Sequence, residues 1–171
     1  ITLKFDSATF QISDNCGGNQ LADAIDYAFH FGRKPNSPAD VKGGIGLYGI
    51  GMKRAIFKIG RDCQVISEAS DAAFKVTVDV DAWEAKKEWD FEYADVEREG
   101  TRGTRIEITK LNDGVKLMLG DPGFKNDLMR DIARDYAFFI QKGLKIQVGD
   151  DVVPSYKYQL LQAEQVAPSV E

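Results

Sequence analysis

The sequence predicts an α+β fold, a two-layer α/β sandwich in which helices cover one face of a mixed, mostly antiparallel sheet. Stretches with two-residue alternation follow one another in runs, whereas stretches of helical periodicity gather elsewhere in the chain. The 171 residues are 43% hydrophobic, which is enough to bury the core of one domain. We therefore expect a single domain over residues 1–171, with a tail or linker at about residues 159–171.

The first predicted strand ends in the motif DNCGG at residues 14–18. Apolar and polar residues alternate over residues 9–14, so Asp14 falls where the strand stops. A carboxylate there can accept a hydrogen bond from an exocyclic amine, and the bare backbone of Gly17 and Gly18 lets a flat ring approach. An ordinary acidic turn explains this motif equally well, because Asp and Gly dominate turns.

A helix is predicted next, over residues 19–32, with an apolar side and with Asp23 and Asp26 on its polar side. The segment GGIGLYGIGMK at residues 43–53 then leads into a second helix, MKRAIFKIG. Free N–H groups at a helix start favour an anionic phosphate chain, and Lys53 is unfavourable in this first turn unless an anion compensates it. The alternative is a flexible loop followed by a solvated basic helix face.

Two common phosphate-binding signatures are absent from this segment. Arg54, not Ser or Thr, follows Lys53, so the P-loop pattern does not fit. The residues before Gly43 are polar and contain two prolines, so no strand precedes the glycines as a dinucleotide-binding motif requires.

The remaining elements are predicted from local patterns. CQVISEAS and AAFKVTVDVDAW form a strand pair around a turn at Ser70-Asp71, and EWDFEYADVE and TRIEITKL continue the alternation, so at least four strands follow the glycine-rich segment. Residues 124–142 form one amphipathic helix that ends at Gly143. LKIQVGDDVVP closes the chain as a hairpin with its turn at Gly149-Asp150.

Composition restricts the function classes. The formal net charge of -5 argues against a general nucleic-acid-binding surface, and no apolar run has the length of a membrane span. Arg98, Arg102 and Arg105 alternate with acidic residues, which indicates a solvated strand face. Two distant cysteines without metal-ligand spacing indicate a reducing compartment, and we expect the cytoplasm.

The two motifs, together with Gly103-Thr104 at the start of a later strand, resemble the boxes of the GHKL superfamily of ATPases (gyrase, heat-shock chaperone, histidine kinase and MutL). YGIGMKRAIFKIG is most similar to the microrchidia and chaperone branches. The resemblance implies a Bergerat-type fold, ATP and Mg²⁺ as ligands, and an ATP lid at about residues 31–46. It implies that Asp14 contacts the adenine amino group with support from Thr104 and that Gly18 admits the ring. It implies that the triphosphate is wrapped by Gly46, Gly49 and Gly51, with Lys53 near its outer end, and that ATP is also bound by Tyr48, Ile50 and Met52.

The resemblance also sets the expected activity. It implies that the intact parent hydrolyses ATP and couples nucleotide state to conformational change or to formation of a homodimer. The family's first box, a helix that carries the general-base Glu and a magnesium-binding Asn, is expected upstream of Ile1, so no catalytic residue or metal ligand is assigned in this chain. A catalytically silent nucleotide-binding or protein-interaction module is the alternative. A histidine kinase ranks last, because His30 lacks a phosphoacceptor helix.

Overall fold

Eight strands form one mixed sheet in the computed structural model, which describes residues 1–29, 51–85 and 91–156. The strand order is β5-β4-β3-β6-β2-β1-β7-β8. Within these ranges every neighbouring pair is antiparallel except β1 and β7, which run parallel. The strands are β1 (Thr2–Phe5), β2 (Phe10–Ser13), β3 (Gly60–Glu68), β4 (Ala73–Asp79), β5 (Glu92–Asp95), β6 (Gly103–Leu111), β7 (Gln147–Val148) and β8 (Asp151–Val152).

Helices lie between these strands, and α5 is the longest helix in the described part of the chain. A single turn, α1 (Leu21–Asp23), continues as a π-helical turn over Ala24–Ala28. The other helices are α2 (Gly51–Ile59), α3 (Val80–Glu84), α4 (Asp113–Leu119), α5 (Phe124–Asp135) and α6 (Ala137–Gln141). The α+β class predicted from the sequence is therefore confirmed.

Alternation along the strands gives the sheet one apolar and one polar face. On β3, Cys63 and Val65 are buried in the main core cluster, whereas Gln64 points to the other face. Apolar side chains of the helical segments 21–29 and 51–59 pack against this same cluster. A second cluster joins Leu3 and Val148 to the apolar side of α5. The helices thus cover the apolar face of the central strands, and the site described below is built on that face.

Several predicted elements agree with the structure. The strand pair around Ser70-Asp71 is the antiparallel pair of β3 and β4, and the hairpin at Gly149-Asp150 joins β7 to β8. More than four strands follow α2, as predicted. The predicted lid at residues 31–46 and the tail at about residues 159–171 lie outside the described residues.

Two predicted elements differ from the structure. The run AAFKVTVDVDAW is not one strand, because α3 begins at Val80, where Asp79 Oδ1 accepts the Ala82 N–H at 3.0 Å. The predicted helix over residues 124–142 is broken at Tyr136, whose backbone leaves the helical region, so the chain forms α5 and α6 instead. After this break Tyr136 and Phe139 are 39% and 45% exposed, so they do not continue the buried stripe of α5.

None of the helices in the described ranges combines the length and the apolar character that crossing a membrane requires.

Candidate functional site

A polar row of three residues, Asp14, Thr104 and Ser67, crosses three adjacent strands on the helix-covered face of the sheet. Strand β6 lies between β2 and β3, and its register places Thr104 opposite Ser67. The pair Ser13 and Arg105 ends the β2–β6 ladder, and the next backbone bond runs from the Asp14 N–H to the Thr104 carbonyl at 2.9 Å. The sheet therefore brings together Asp14 and Thr104, the two residues that the sequence predicts at the base of a bound nucleotide.

Asp14 holds its own turn with one carboxylate oxygen. Its Oδ1 accepts the Cys16 N–H at 2.7 Å, which is the usual side-chain-to-backbone bond of an aspartate turn. Within residues 1–29, 51–85 and 91–156, Oδ2 of Asp14 accepts no hydrogen bond. The turn and the predicted recognition of an amine are therefore compatible, since each uses a different oxygen.

Gly18 and Gly103 allow the chain to pass close to the polar row. The φ angle of Gly18 is +70°, and a Cβ atom there would collide with the carbonyl group of Glu68. A Cβ atom on Gly103 would collide with the carbonyl of Asp14. Close approach of two chain segments therefore requires glycine at both positions, and the predicted role of Gly18 in admitting the ring stays a prediction.

The start of α2 supplies the described part of the predicted phosphate segment. Gly51 is exposed, and Met52 packs against the main core cluster. Lys53 is only 3% exposed, and its Nζ donates a hydrogen bond to the Ala28 carbonyl at 3.0 Å. Burial lowers the pKa of Lys53 from its ordinary value, because desolvation disfavours the ammonium form. The other predicted contacts, Gly46, Tyr48, Gly49 and Ile50, lie outside the described residues.

Residues 1–110 match the family of histidine kinase-, DNA gyrase B-, and HSP90-like ATPases. The chain belongs to this family. The matched range contains the polar row, both close-approach glycines and α2, so the resemblance to the GHKL superfamily is confirmed and an ATP-binding domain is supported. None of the curated proteins compared with the chain matches it.

Two clefts of this ATPase-family domain meet at the end of β2. One, of about 560 Å³, lies between Asp14, Cys16 and residues 143–147. The other, of about 610 Å³, extends from Asp14 and Thr104 across the polar face of the sheet to residues 96–102. Of the described side chains, Ser67 and Lys53 line neither cleft. The smaller cleft touches the polar row at Asp14, and the larger cleft touches it at Asp14 and Thr104 from the opposite face of the sheet.

The wall of the larger cleft is fixed by Glu68, which has its side chain on the polar face. Its two carboxylate oxygens accept the Glu99 and Gly100 N–H groups at 2.8 and 2.9 Å, and the residue is 6% exposed. Arg98 adds a looser contact to the same carboxylate at 3.8 Å. Basic and acidic side chains alternate along this wall, so the cleft has no clear preference for anions.

Ser67 is the member of the polar row that the sequence did not identify. Its side chain is fully buried, accepts the Asn19 N–H at 2.8 Å and lies 3.1 Å from Thr104 Oγ1. A serine in a buried strand is the only local signal, because both partners lie far away in the sequence.

No group of three or more His, Cys, Asp and Glu side chains among the described residues is arranged to hold a metal ion.

Proposed function

We propose that this domain binds ATP with Mg²⁺, with the adenine base against the polar row, and that the intact parent hydrolyses the nucleotide. The observation that carries the proposal concerns Asp14, whose N–H is bonded to the Thr104 carbonyl and whose Oδ2 accepts no hydrogen bond from the described residues. Family membership supports nucleotide binding by the domain.

Asp14 explains why adenine is the preferred base. A carboxylate only accepts hydrogen bonds, so it pairs with the exocyclic amine of adenine and repels the carbonyl oxygen that guanine carries at the same position. The bond is charge-assisted and therefore stronger than a neutral one. The Thr104 carbonyl accepts the Asp14 N–H, so Thr104 is the neighbour of Asp14 on the next strand. Its hydroxyl group is a second polar group for the base.

The start of α2 is the proposed phosphate end. Unpaired N–H groups at a helix start, together with the helix dipole, favour a phosphate chain, and the helix is nine residues long. In this role Lys53 exchanges its bond with the Ala28 carbonyl for a phosphate oxygen. We propose Gly46, Tyr48, Gly49, Ile50, Gly51 and Met52 as further contacts.

Hydrolysis needs groups that we place upstream of Ile1. A Glu there would act as the general base for the attacking water, and a Mg²⁺ ion would help to neutralise the phosphate charge. Charge on the phosphates is stabilised by backbone N–H groups and Lys53. Nucleotide state then biases conformation or dimer formation of the parent. We place the protein in the cytoplasm, because Cys16 and Cys63 are free thiols.

The test is calorimetric titration of the chain with Mg²⁺ and a non-hydrolysable ATP analogue, with the matching GTP analogue as the control. Selective binding of the adenine compound supports the proposal. Equal binding of both compounds removes Asp14 from base recognition, and binding of neither overturns the proposal.

A nucleotide-holding module without turnover is the second candidate, favoured by the bond that engages Lys53 with Ala28. Release of inorganic phosphate from ATP by the intact parent distinguishes the two candidates. A parent that binds ATP tightly but releases no phosphate fits the module.

A further inference from the structure

Ser67 is a buried hydroxyl group on the otherwise apolar, helix-covered face of β3. Its neighbours on the same face, Cys63 and Val65, are buried members of the main core cluster, and Ser67 itself is 0% exposed. Burying a hydroxyl group costs free energy unless hydrogen bonds replace those to water. The partners of this hydroxyl therefore indicate its role.

One partner of Ser67 directly follows the DNCGG motif, and the other belongs to the Gly103-Thr104 motif. Asn19, 48 residues away in the sequence, directly follows the close-approach Gly18 and donates its N–H to Ser67 Oγ. Thr104, 37 residues away, begins the strand beside Asp14. One side chain that itself lines neither cleft thus ties together the two segments that border the proposed base site.

The direction of the bond between the two hydroxyl groups follows from counting protons. A backbone N–H only donates, so Ser67 Oγ is an acceptor towards Asn19 and keeps its own proton. Thr104 Oγ1 is the acceptor within reach of that proton among the described residues, and a fully buried hydroxyl proton is normally satisfied. Thr104 is less buried than Ser67, so its own proton can go to a ligand.

We propose that Ser67 is a positioning residue for adenine recognition: it donates its proton to Thr104 Oγ1 and thereby directs the Thr104 proton to a ring nitrogen of the bound base. This inference rests on the proposed function. Adenine has an amine donor next to the ring acceptor N1, which complements an accepting Asp14 and a donating Thr104. Guanine has a carbonyl and an N–H at these positions, so both bonds are mismatched. Ser67 therefore sets base specificity without contact with the base.

The test compares two ligands in two proteins. Dissociation constants are measured by calorimetry for ATP and for 1-deaza-ATP, which keeps the amine but lacks the N1 acceptor, at a temperature and time without turnover. In the wild type we expect 1-deaza-ATP to bind about tenfold more weakly, as for the loss of one well-placed hydrogen bond. In Ser67→Ala we expect ATP itself to bind several-fold more weakly and the ratio of the two constants to fall to about two.

The ratio of the two dissociation constants distinguishes a positioning role of Ser67 from a general destabilisation of the fold. A merely structural role of Ser67 weakens both ligands equally and leaves the ratio unchanged. Cys63→Ala is the matched control, since it also removes one buried side-chain atom from the same face of β3, and it should keep the wild-type ratio. If Ser67→Ala does not fold, Ser67→Cys retains the side-chain size but donates poorly, and it should lower the ratio as well.

The outcomes also separate this inference from the proposed function. The role of Ser67 alone is overturned if the wild type binds ATP and 1-deaza-ATP with nearly equal dissociation constants. It is also overturned if Ser67→Ala and Ser67→Cys leave the ratio of these two constants unchanged. A wild type that binds no adenine nucleotide overturns both proposals.

Discussion

The two ends of the proposed nucleotide site are built in different ways. At the base end, the polar row is held by the ladders of three adjacent strands, by the bond from the Asp14 N–H to the Thr104 carbonyl, and by the contact between the Thr104 and Ser67 hydroxyl groups. At the phosphate end, the described part is one turn of α2, and its cation is bonded to the Ala28 carbonyl. The base end is therefore formed before a ligand arrives, whereas Lys53 must change partner to reach a phosphate.

This difference shows where affinity and response to the nucleotide are expected to arise. Groups already held in place lose little conformational entropy on binding, so the base end supplies selective affinity. A group that gives up one bond to make another can shift a conformational equilibrium, because its energy differs between the two states. Substitutions at the base end should accordingly change base-selective affinity, whereas substitutions at the phosphate end should change the conformational response.

The largest expected effect comes from Gly18→Ala, which tests whether the base end is as tightly constrained as the geometry indicates. The new methyl group collides with the Glu68 carbonyl at a positive φ angle, so we expect the free energy of unfolding to fall by roughly 3 kcal/mol. Urea denaturation measures it. Gly17→Ala is the control, because its φ is also positive but its methyl group meets open space, and we expect roughly 1–2 kcal/mol. Equal losses in both variants would contradict close packing at Gly18.

A somewhat smaller effect is expected from Asp14→Asn, which tests recognition while preserving the turn. Asparagine retains an Oδ1 for the Cys16 N–H but replaces Oδ2 with an NH₂ group, which repels the adenine amine. Affinity for an ATP analogue should fall by roughly 1.5–3 kcal/mol, or about 10- to 150-fold.

Asp6→Asn is the matched control for this substitution. Asp6 holds an exposed turn in the same way, through the Ala8 and Thr9 N–H groups at 2.7 and 2.8 Å. Its substitution should leave the affinity unchanged. If both variants bind like the wild type, Asp14 is only a turn residue.

The smallest effect concerns the phosphate end and appears as a pH dependence. Because the pKa of Lys53 is lowered in the folded protein, the unfolded chain holds this proton more tightly. At neutral pH the buried, charged Lys53 therefore lowers the free energy of unfolding. This loss disappears as the pH rises from the lowered pKa to the ordinary 10.5, so the free energy of unfolding should increase with pH in this range.

Lys53→Met isolates this contribution. At about pH 7 the variant should differ from the wild type by less than about 1 kcal/mol, because the lost bond to Ala28 opposes the removed desolvation penalty. Towards about pH 10 the difference in free energy of unfolding should move in favour of the wild type. Lys58→Met, at an exposed position on the same helix, should show no such trend. Parallel pH profiles for all three proteins would show that burial of Lys53 has no energetic consequence.

The elements predicted best from the sequence depend on local pattern. The β3–β4 pair, α2 and the β7–β8 hairpin each combine a regular periodicity with a nearby turn or glycine. Asp14 was predicted as a site residue because it ends a strand-like run before two glycines, whereas Thr104 was predicted from the family resemblance. The break at Tyr136 escaped prediction because the apolar spacing continues through it, and only the backbone shows that α6 leaves Phe138 and Phe139 exposed.

The non-local features could not be read from the sequence. The sequence does not state that β6 inserts between β2 and β3, although this insertion alone makes Thr104 a neighbour of both Asp14 and Ser67. Glu68 is similar, because its role depends on the Glu99 and Gly100 N–H groups, which lie about thirty residues away. Burial of a polar side chain is a tertiary property, so periodicity alone does not reveal it.

The central place of β6 also has a kinetic consequence. Its neighbours β3 and β2 precede it by about 40 and 90 residues, so the base end exists only after the chain has closed two long loops. Partly folded chains that lack this strand insertion have no polar row and cannot bind adenine there. A nucleotide present during folding would then stabilise the completed sheet selectively, by mass action on the native state.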